Sequence, residues 1–309
     1  LKSINLSNNS ALIHLTVQNN DLINLNVKNG NNGAITTFNS TSNSNLTCIN
    51  VDDVSYSSTN WSDIDDASSF NVNCNSTYIP DTSFENYLET HNADGGTVAL
   101  GDPLSLGNGV ANDHLVDTFK ISSVTNLRVV SQYIFDLTGI EDFKSLLVLD
   151  ATLNKISSID LSQNILLKEL LLQVNELTEI DLSNNPAIIR LNLGHNLLTK
   201  IDLSAQTYLN RLQLFKNYIS ELDLSGNSYL IHIDVLQNNL VYLNVKNGAN
   251  TKVVGSRFKS ESNPKLTCIE VDDVNYSNTN WTNIDGASSF STSCSRSWNG
   301  AADSNWNNA

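Results

Sequence analysis

The only thiols of the 309-residue chain fall in two pairs of equal spacing, Cys48 with Cys74 and Cys268 with Cys294, each pair 26 residues apart. Such pairs read as one disulfide in each copy of a duplicated segment, which requires an oxidising compartment and stabilises by about 3 kcal/mol through loop closure. Zinc ligation is the competing chemistry, but neither a CxxC nor a paired histidine accompanies them. Carboxylates form a second set, because Asp160, Asp181, Asp202 and Asp223 recur every 21 residues, with Asn244 and Asn26 at the corresponding place nearer the cysteines. Stacked about 5 Å apart, neighbouring carboxylates repel by somewhat under 1 kcal/mol even in water-like dielectric, so the column needs compensation. Ser162, Ser183, Ser204, Ser225 and turn amides can supply it as hydrogen bonds; calcium bridging is the alternative. A third set, Asn92, Asp94 and Asp102 in HNADGGTVALGD, is a candidate calcium loop that lacks the bidentate Glu of an EF-hand. Asp52 and Asp53, with Asp272 and Asp273, are either calcium ligands or Asx-turn acceptors.

Chemistry beyond disulfides and structural calcium finds little support. The chain has no HExxH, GxSxG, P-loop or dinucleotide fingerprint, and its five histidines are scattered, His14 and His232 being the same position of a duplicated unit. A non-enzymatic protein is therefore expected. With 17 Lys and Arg against 32 Asp and Glu, the net charge is −15 and no basic stripe runs along the sequence, which disfavours nucleic acid and anionic membrane as partners. No apolar run approaches the roughly 20 residues of a membrane span.

The elements that must position these groups follow from a 21-residue hydrophobic beat. Leu149, Leu170, Leu191, Leu212 and Ile233 keep it, as do Leu146, Leu167, Ile188, Leu209 and Leu230, and the Asn column Asn154, Asn175, Asn196, Asn217 and Asn238. Holding one register through five repeats requires a solenoid, since a single insertion would turn every later side chain off its face. The repeat reads LxxLxLxxNxLxxIDLSxNxxx, in which LxL is a period-2 strand with its leucines inward. Each coil adds one strand to a parallel sheet, the Asn turns the chain after the strand, and its amide can satisfy backbone groups left inside the coil. No coil can bury its leucines alone, so neighbours must stack and both ends need caps.

The residues flanking the inward leucines define an exposed sheet face. They are Val148, Asp150 and Thr152; Glu169, Leu171 and Gln173; Arg190, Asn192 and Gly194; Arg211, Gln213 and Phe215; and His232, Asp234 and Leu236. These columns vary where the core columns do not, and Leu171, Phe215 and Leu236 are apolar beside Arg190 and Arg211. Such a composition suits contact with protein or glycan, although isolated apolar residues also decorate ordinary surfaces.

Two arrays share the chain. SYLIHIDVLQNNLVYLNVKNG from Ser228 repeats SALIHLTVQNNDLINLNVKNG from Ser10, and LTCIEVDDVNYSNTNW from Leu266 repeats LTCINVDDVSYSSTNW from Leu46. The expected organisation is a first array's last coils and cap over residues 1–76, with further coils upstream of Leu1. An N-terminal cap and loop at 77–123, the second array with its cap at 124–295, and the start of a following β-module at 296–309 complete it. In YIPDTSFENYLETH, Thr82 and Glu85 stand at capping-box spacing while Phe84, Tyr87 and Leu88 share a helical face, which predicts a short amphipathic helix; the Gly-, Asn- and Asp-rich stretch 92–120 predicts mostly loop.

The LxxLxLxxN repeat resembles the leucine-rich repeats of short bacterial surface type. The order PDTSFENYLETHNADGGTVALGD, LTGIEDF, IDLSxN coils, then LTCIEVDDVNYSNTNW resembles leucine-rich-repeat modules of secreted and surface proteins in the Bacteroidota. The resemblance implies a horseshoe or rod with a parallel sheet on its concave face, a short N-terminal cap helix and disulfide-closed C-terminal caps. It further implies export by the type IX pathway and residence outside the cell or on its surface. The expected function is adhesion within a large surface adhesin or appendage, with a recognition module of a secreted enzyme and a self-assembling surface filament as alternatives. The expected partners are protein or glycan on another surface, or a second copy.

Overall fold

The computed structural model describes residues 3–6, 9–22, 24–72, 74 and 76–294; the β-module expected at 296–309 lies outside them. Two compact units divide the chain, Leu1–Ser76 and Thr77–Ala309.

In the second unit the repeat becomes a seven-stranded parallel sheet of very short strands. They are Asn126–Arg128, Val148–Asp150, Glu169–Leu171, Arg190–Asn192, Arg211–Gln213, His232–Asp234 and Phe258–Lys259. Their register pairs Leu149 with Leu170, Leu170 with Leu191, Leu191 with Leu212 and Leu212 with Ile233, so the sequence beat is one coil of translation along the array. All five of these side chains are fully buried, in one core that runs from Ile79 to Phe290. The second unit is a leucine-rich-repeat solenoid with capped ends. Each such leucine contributes roughly 1.5–3 kcal/mol on burial, realised only when a neighbouring coil covers it.

After each strand the chain reverses through one residue of left-handed backbone. Leu153, Val174, His195, Lys216 and Gln237 have φ of 61°, 57°, 58°, 54° and 55°. None is glycine or asparagine, the residues that tolerate this region best. The next residue is the Asn of the column, and its amide compensates. Asn196 Oδ1 accepts from Leu177 N at 3.0 Å while Nδ2 donates to Leu172 O at 2.9 Å and Leu193 O at 3.1 Å, joining two adjacent coils. Asn175, Asn217 and Asn238 repeat the pattern, and Asn263 and Asn43 extend it into the two cysteine caps.

A second buried amide column escaped the sequence reading, although it keeps the same 21-residue step. Asn185 Nδ2 donates to Leu161 O and Asn164 O, Gln206 Nε2 to Leu182 O and Asn185 O, and Asn227 Nδ2 to Leu203 O and Gln206 O. These are the N positions of IDLSxN, and they tie the side of each coil opposite the seven-stranded sheet. On that side the last coils form a further parallel sheet of Glu221–Asp223, Tyr242–Asn244, Cys268–Glu270 and Ser289–Ser291.

The C-terminal cap packs the helix Val274–Asn280 over the last coil, with Trp281 stacked on Phe258 at 4.2 Å between ring centroids and its indole N–H donating to Val253 O. The first unit ends in the same way. Helix Val54–Asn60 precedes Trp61, which stacks on Phe38 at 4.4 Å and donates to Ile35 O. Disulfides join Cys48 to Cys74 and Cys268 to Cys294, with Cα separations of 5.6 and 5.9 Å. The first unit's parallel sheet contains Ser3–Asn5, Asn24–Asn26, Cys48–Asn50 and Ser69–Asn71, and His14–Thr16 pairs separately with Thr37–Asn39.

The N-terminal cap of the second unit is the helix Thr82–Thr90, which buries Phe84, Tyr87 and Leu88 against the array. Its capping differs from the expected box: Asp81 is the N-cap, accepting from Phe84 N at 3.0 Å, and Thr82 is already helical. Glu85 therefore has no cap to reach back to. It is buried instead, its Oε1 accepting from Asp113 N and His114 N, each at 2.9 Å. Glu89, one turn on, accepts from Asn108 N and Gly109 N, and burial pushes its carboxyl above the usual range. Two buried carboxylates thus hold the segment after the helix, which also contains the strand Leu115–Asp117 and the helix Thr118–Ser122 within a stretch expected to be mostly loop.

Candidate binding surface

The outward residues of the seven-stranded sheet form three parallel columns, one member per coil, with neighbouring strands roughly 4.8 Å apart. Pairing of Arg190 with Arg211 and of Arg211 with His232 puts these three on adjacent strands. The pairing of Ile233 with Phe258 continues the column to Arg257. Four basic-type residues therefore stand in register at the C-terminal end of the face. Arg190 has a carboxylate, with Nη1 3.2 Å from Glu169 Oε2, but its Nε is buried without a partner. His232 is half-buried with an unpartnered Nε2, and burial first, then the Arg211 charge, hold its imidazole below the usual histidine range. Arg211 and Arg257 are exposed.

The middle column runs Asp150, Leu171, Asn192, Gln213, Asp234 and Lys259, polar except at Leu171. Asn192 and Asp234 are buried. Asn192 Nδ2 donates to Gln173 Oε1 at 2.9 Å and its Oδ1 accepts from Gly194 N at 3.1 Å. Lys259 Nζ lies 3.2 Å from Asp234 Oδ2.

Of the apolar residues, Phe215 and Leu236 stand in the third column and Leu171 in the middle one, opposite Asn192. Phe215 lies across the neighbouring coil on Gly194, where a Cβ would overlap ring carbons of Phe215. Phe215, Leu236 and Leu171 are each partly buried rather than fully open. The sequence-predicted residues Glu169, Leu171, Gln173, Arg190, Asn192, Arg211, Gln213, Phe215, His232, Asp234 and Leu236 share this face.

Arg257 and Lys259 were missed, because the cap inserts residues between His232 and its strand neighbour and breaks the beat that located the others. The signal available was the lone RFK ahead of the cap cysteines, readable only once Phe258 is placed opposite Ile233. Beside the face, Tyr208 and Tyr229 are both exposed with centroids 5.7 Å apart, and Lys252 Nζ sits 5.6 Å from the Tyr229 ring.

The candidate calcium positions are occupied by turn chemistry. Asn92 Oδ1 accepts from Asp94 N and Gly96 N, and Asp102 Oδ1 accepts from Leu104 N, so these side chains fold back on their own backbone rather than converge. Asp160, Asp181, Asp202 and Asp223 each accept from the amide of the serine two residues on, at 2.8–2.9 Å. Those bonds hold the Asp160 and Asp181 carboxyls below the usual carboxylate range. Asp52 and Asp272 bridge two amides of the preceding coil, and Asp53 and Asp273 cap the helices. Among the described residues, no group of three His, Cys, Asp or Glu is placed to hold a metal ion, and no helix is long and apolar enough to cross a membrane.

No family model and no curated protein matches the chain. Among solved structures it is similar to the functional domain of InlJ from Listeria monocytogenes, at 24% identity and a TM-score of 0.44 over 63% of this chain and 38% of that one. It is similar also to the internalin inlF of Listeria monocytogenes, at 22% identity and a TM-score of 0.41 over 64% of this chain and 52% of that one. A leucine-rich-repeat protein of Leptospira interrogans matches at 17% identity and a TM-score of 0.29, over 43% of this chain and 40% of that one. The chain thus spans about 38% and 52% of the two listerial chains. The solenoid assignment rests on this chain's own parallel register.

Proposed function

We propose that the chain is a non-enzymatic binding module acting outside the cell or on its surface, which recognises a partner on another surface through the sheet face of its second array. The observation that carries this reading is the contrast between core columns of near-identical leucines and an outward face that concentrates Arg190, Arg211, Phe215, Leu236 and Arg257 in a chain of net charge −15. A face kept only for solubility would repeat the acidic character of the rest; this one places a cation run beside a seated aromatic ring, the side-chain types that dominate protein interfaces. Two disulfides fit an oxidising environment. Membership of a large adhesin, a Bacteroidota source and type IX export belong to the same reading through the cap motifs, and the domains encoded by the parent gene test them.

The direct test is a glycan-array and cell-surface binding screen with the recombinant chain, followed by Phe215→Ala and Arg211→Ala on any ligand found. A tenfold or greater loss of affinity for each variant supports the face. Unchanged affinity in both overturns it.

A further inference from the structure

The basic column has an energetic problem that the fold does not solve internally. Like charges facing one another on adjacent strands destabilise a sheet, yet Arg211 pairs in register with Arg190, and Arg257 follows beyond His232. Among the described residues, only Arg190 in this column is ion-paired, with Glu169. Asp234 is the nearest other carboxylate to His232, and Lys259 engages it. Among the described residues Arg211 and Arg257 form no ion pair, while Arg190 Nε and His232 Nε2 are buried donors or acceptors without partners. Arg211 and Arg257 are thus exposed cations open to anionic groups of a ligand.

Across the face, the side chains change character in a fixed order. The basic column (Arg190, Arg211, His232, Arg257) is followed by the amides Asn192 and Gln213 and the mutually paired Asp234 and Lys259, then by the apolar pair Phe215 and Leu236. From Arg211 to Phe215 the chain advances four residues, roughly 13 Å at a strand's rise. An extended polypeptide running along the array, over the amides, would send alternate side chains to opposite sides. One set reaches the cations and the other the Phe215–Leu236 strip. Its like-facing side chains repeat about every 6.6–6.8 Å against about 4.8 Å per coil, so three successive acidic residues, spanning two repeats, roughly match the three coil steps from Arg190 to Arg257. The Gln213 carboxamide, which makes no hydrogen bond among the described residues, stands where that peptide's backbone would pass.

Resting on the binding face assigned above, the geometry points to a ligand of one class: an extended peptide segment of alternating acidic and apolar residues, lying along the array with its carboxylates on Arg190, Arg211 and Arg257 and its apolar side chains on Phe215 and Leu236. An acidic polysaccharide satisfies the cations but leaves the apolar strip uncovered, which is why the peptide is favoured.

The test measures binding of the whole chain to three fluorescent eight-residue peptides, by anisotropy at low and at physiological salt: strictly alternating Asp and Leu, the same composition with Asp and Leu in separate blocks, and alternating Lys and Leu. A linear uronate oligosaccharide serves as competitor. The expected result is binding of the alternating acidic peptide at least tenfold tighter than the blocked one, no binding of the Lys peptide, and weakening at higher salt. Arg211→Glu and Arg257→Ala should each reduce it by tenfold or more, while Phe215→Ala reduces it without changing the salt dependence.

Equal binding of blocked and alternating peptides overturns the proposal. So does uronate that displaces the peptide and is itself insensitive to Phe215→Ala, which would assign the face to acidic glycan. If these peptides fail while Phe215→Ala and Arg211→Ala still abolish capture of a surface ligand, the ligand class is wrong and the face stands. If neither variant alters any binding, both readings fall. Circular dichroism of Arg211→Glu and Arg257→Ala separates loss of the site from loss of the fold.

Discussion

The Phe215 ring rests on Gly194 of the neighbouring coil, in the space a side chain at 194 would fill. The two positions are adjacent in the third column of the sheet face, so the absence of one side chain is what seats the other. Gly194 does not need glycine's backbone freedom, because its φ is not positive. Gly194→Ala should therefore displace the ring rather than strain the chain. A double-mutant cycle of Gly194→Ala and Phe215→Ala, read by urea denaturation, should show coupling of roughly 1 kcal/mol, with Gly194→Ala nearly neutral once the ring is gone. Additive effects would show that the ring is not seated there.

The left-handed residue before each column Asn predicts a stabilising change. Val174 is β-branched at φ 57°, a conformation that disfavours L-residues by roughly 1–2 kcal/mol and β-branched ones most. Val174 is on the turn rather than in the core. Val174→Asn should raise unfolding free energy by about 0.5–1 kcal/mol in urea melts, whereas the same exchange at the extended position Val148 should not. A loss at 174 would contradict the turn geometry.

The two amide columns should differ in how much they contribute. Asn196 makes three backbone hydrogen bonds across two coils, and Asn185 makes two with its Oδ1 left without a partner. Asn196→Ala should destabilise by roughly 2–4 kcal/mol, since Leu177 N is left buried and unbonded, and Asn185→Ala by less. Equal losses would mean that the unbonded Leu177 N–H does not matter.

His232 supplies a pH signature. Burial and the Arg211 charge hold its imidazole below the usual value, against the opposing pull of Asp234, and Lys259 and Arg257 add to the lowering. A histidine whose folded value lies below its unfolded one adds stability that is fully present above about pH 6.5. That stability is lost as pH falls through the depressed folded value. Arg211→Gln should move the imidazole titration upward in an NMR titration. No movement would place the arginine away from His232.

How much was legible in the sequence differs by element. The 21-residue beat, with Leu170 and Leu191 in the same register, sufficed for a parallel solenoid, because burial of the same column in every coil constrains the sequence locally and periodically. The disulfides were legible for a related reason: duplicated spacing reports a duplicated structure. The IDLSxN amides kept the period too, yet their role stayed hidden, since Asn185 reads as an ordinary turn residue until Leu161 O and Asn164 O are seen beside it. Capping by Asp81 in place of Thr82 turned on a single residue of register, and the fate of Glu85 followed from it.

The amino-acid order alone determined which face of each coil points inward, because alternation and period are written into consecutive residues and depend on no distant contact. Tertiary packing decided what the outward face became. It set Phe215 upon Gly194, brought Arg257 across an insertion to the side of His232, and turned the suspected calcium ligands onto nearby amides. Each of these is a meeting of atoms that lie close only after the coils have stacked, so no local pattern encodes them.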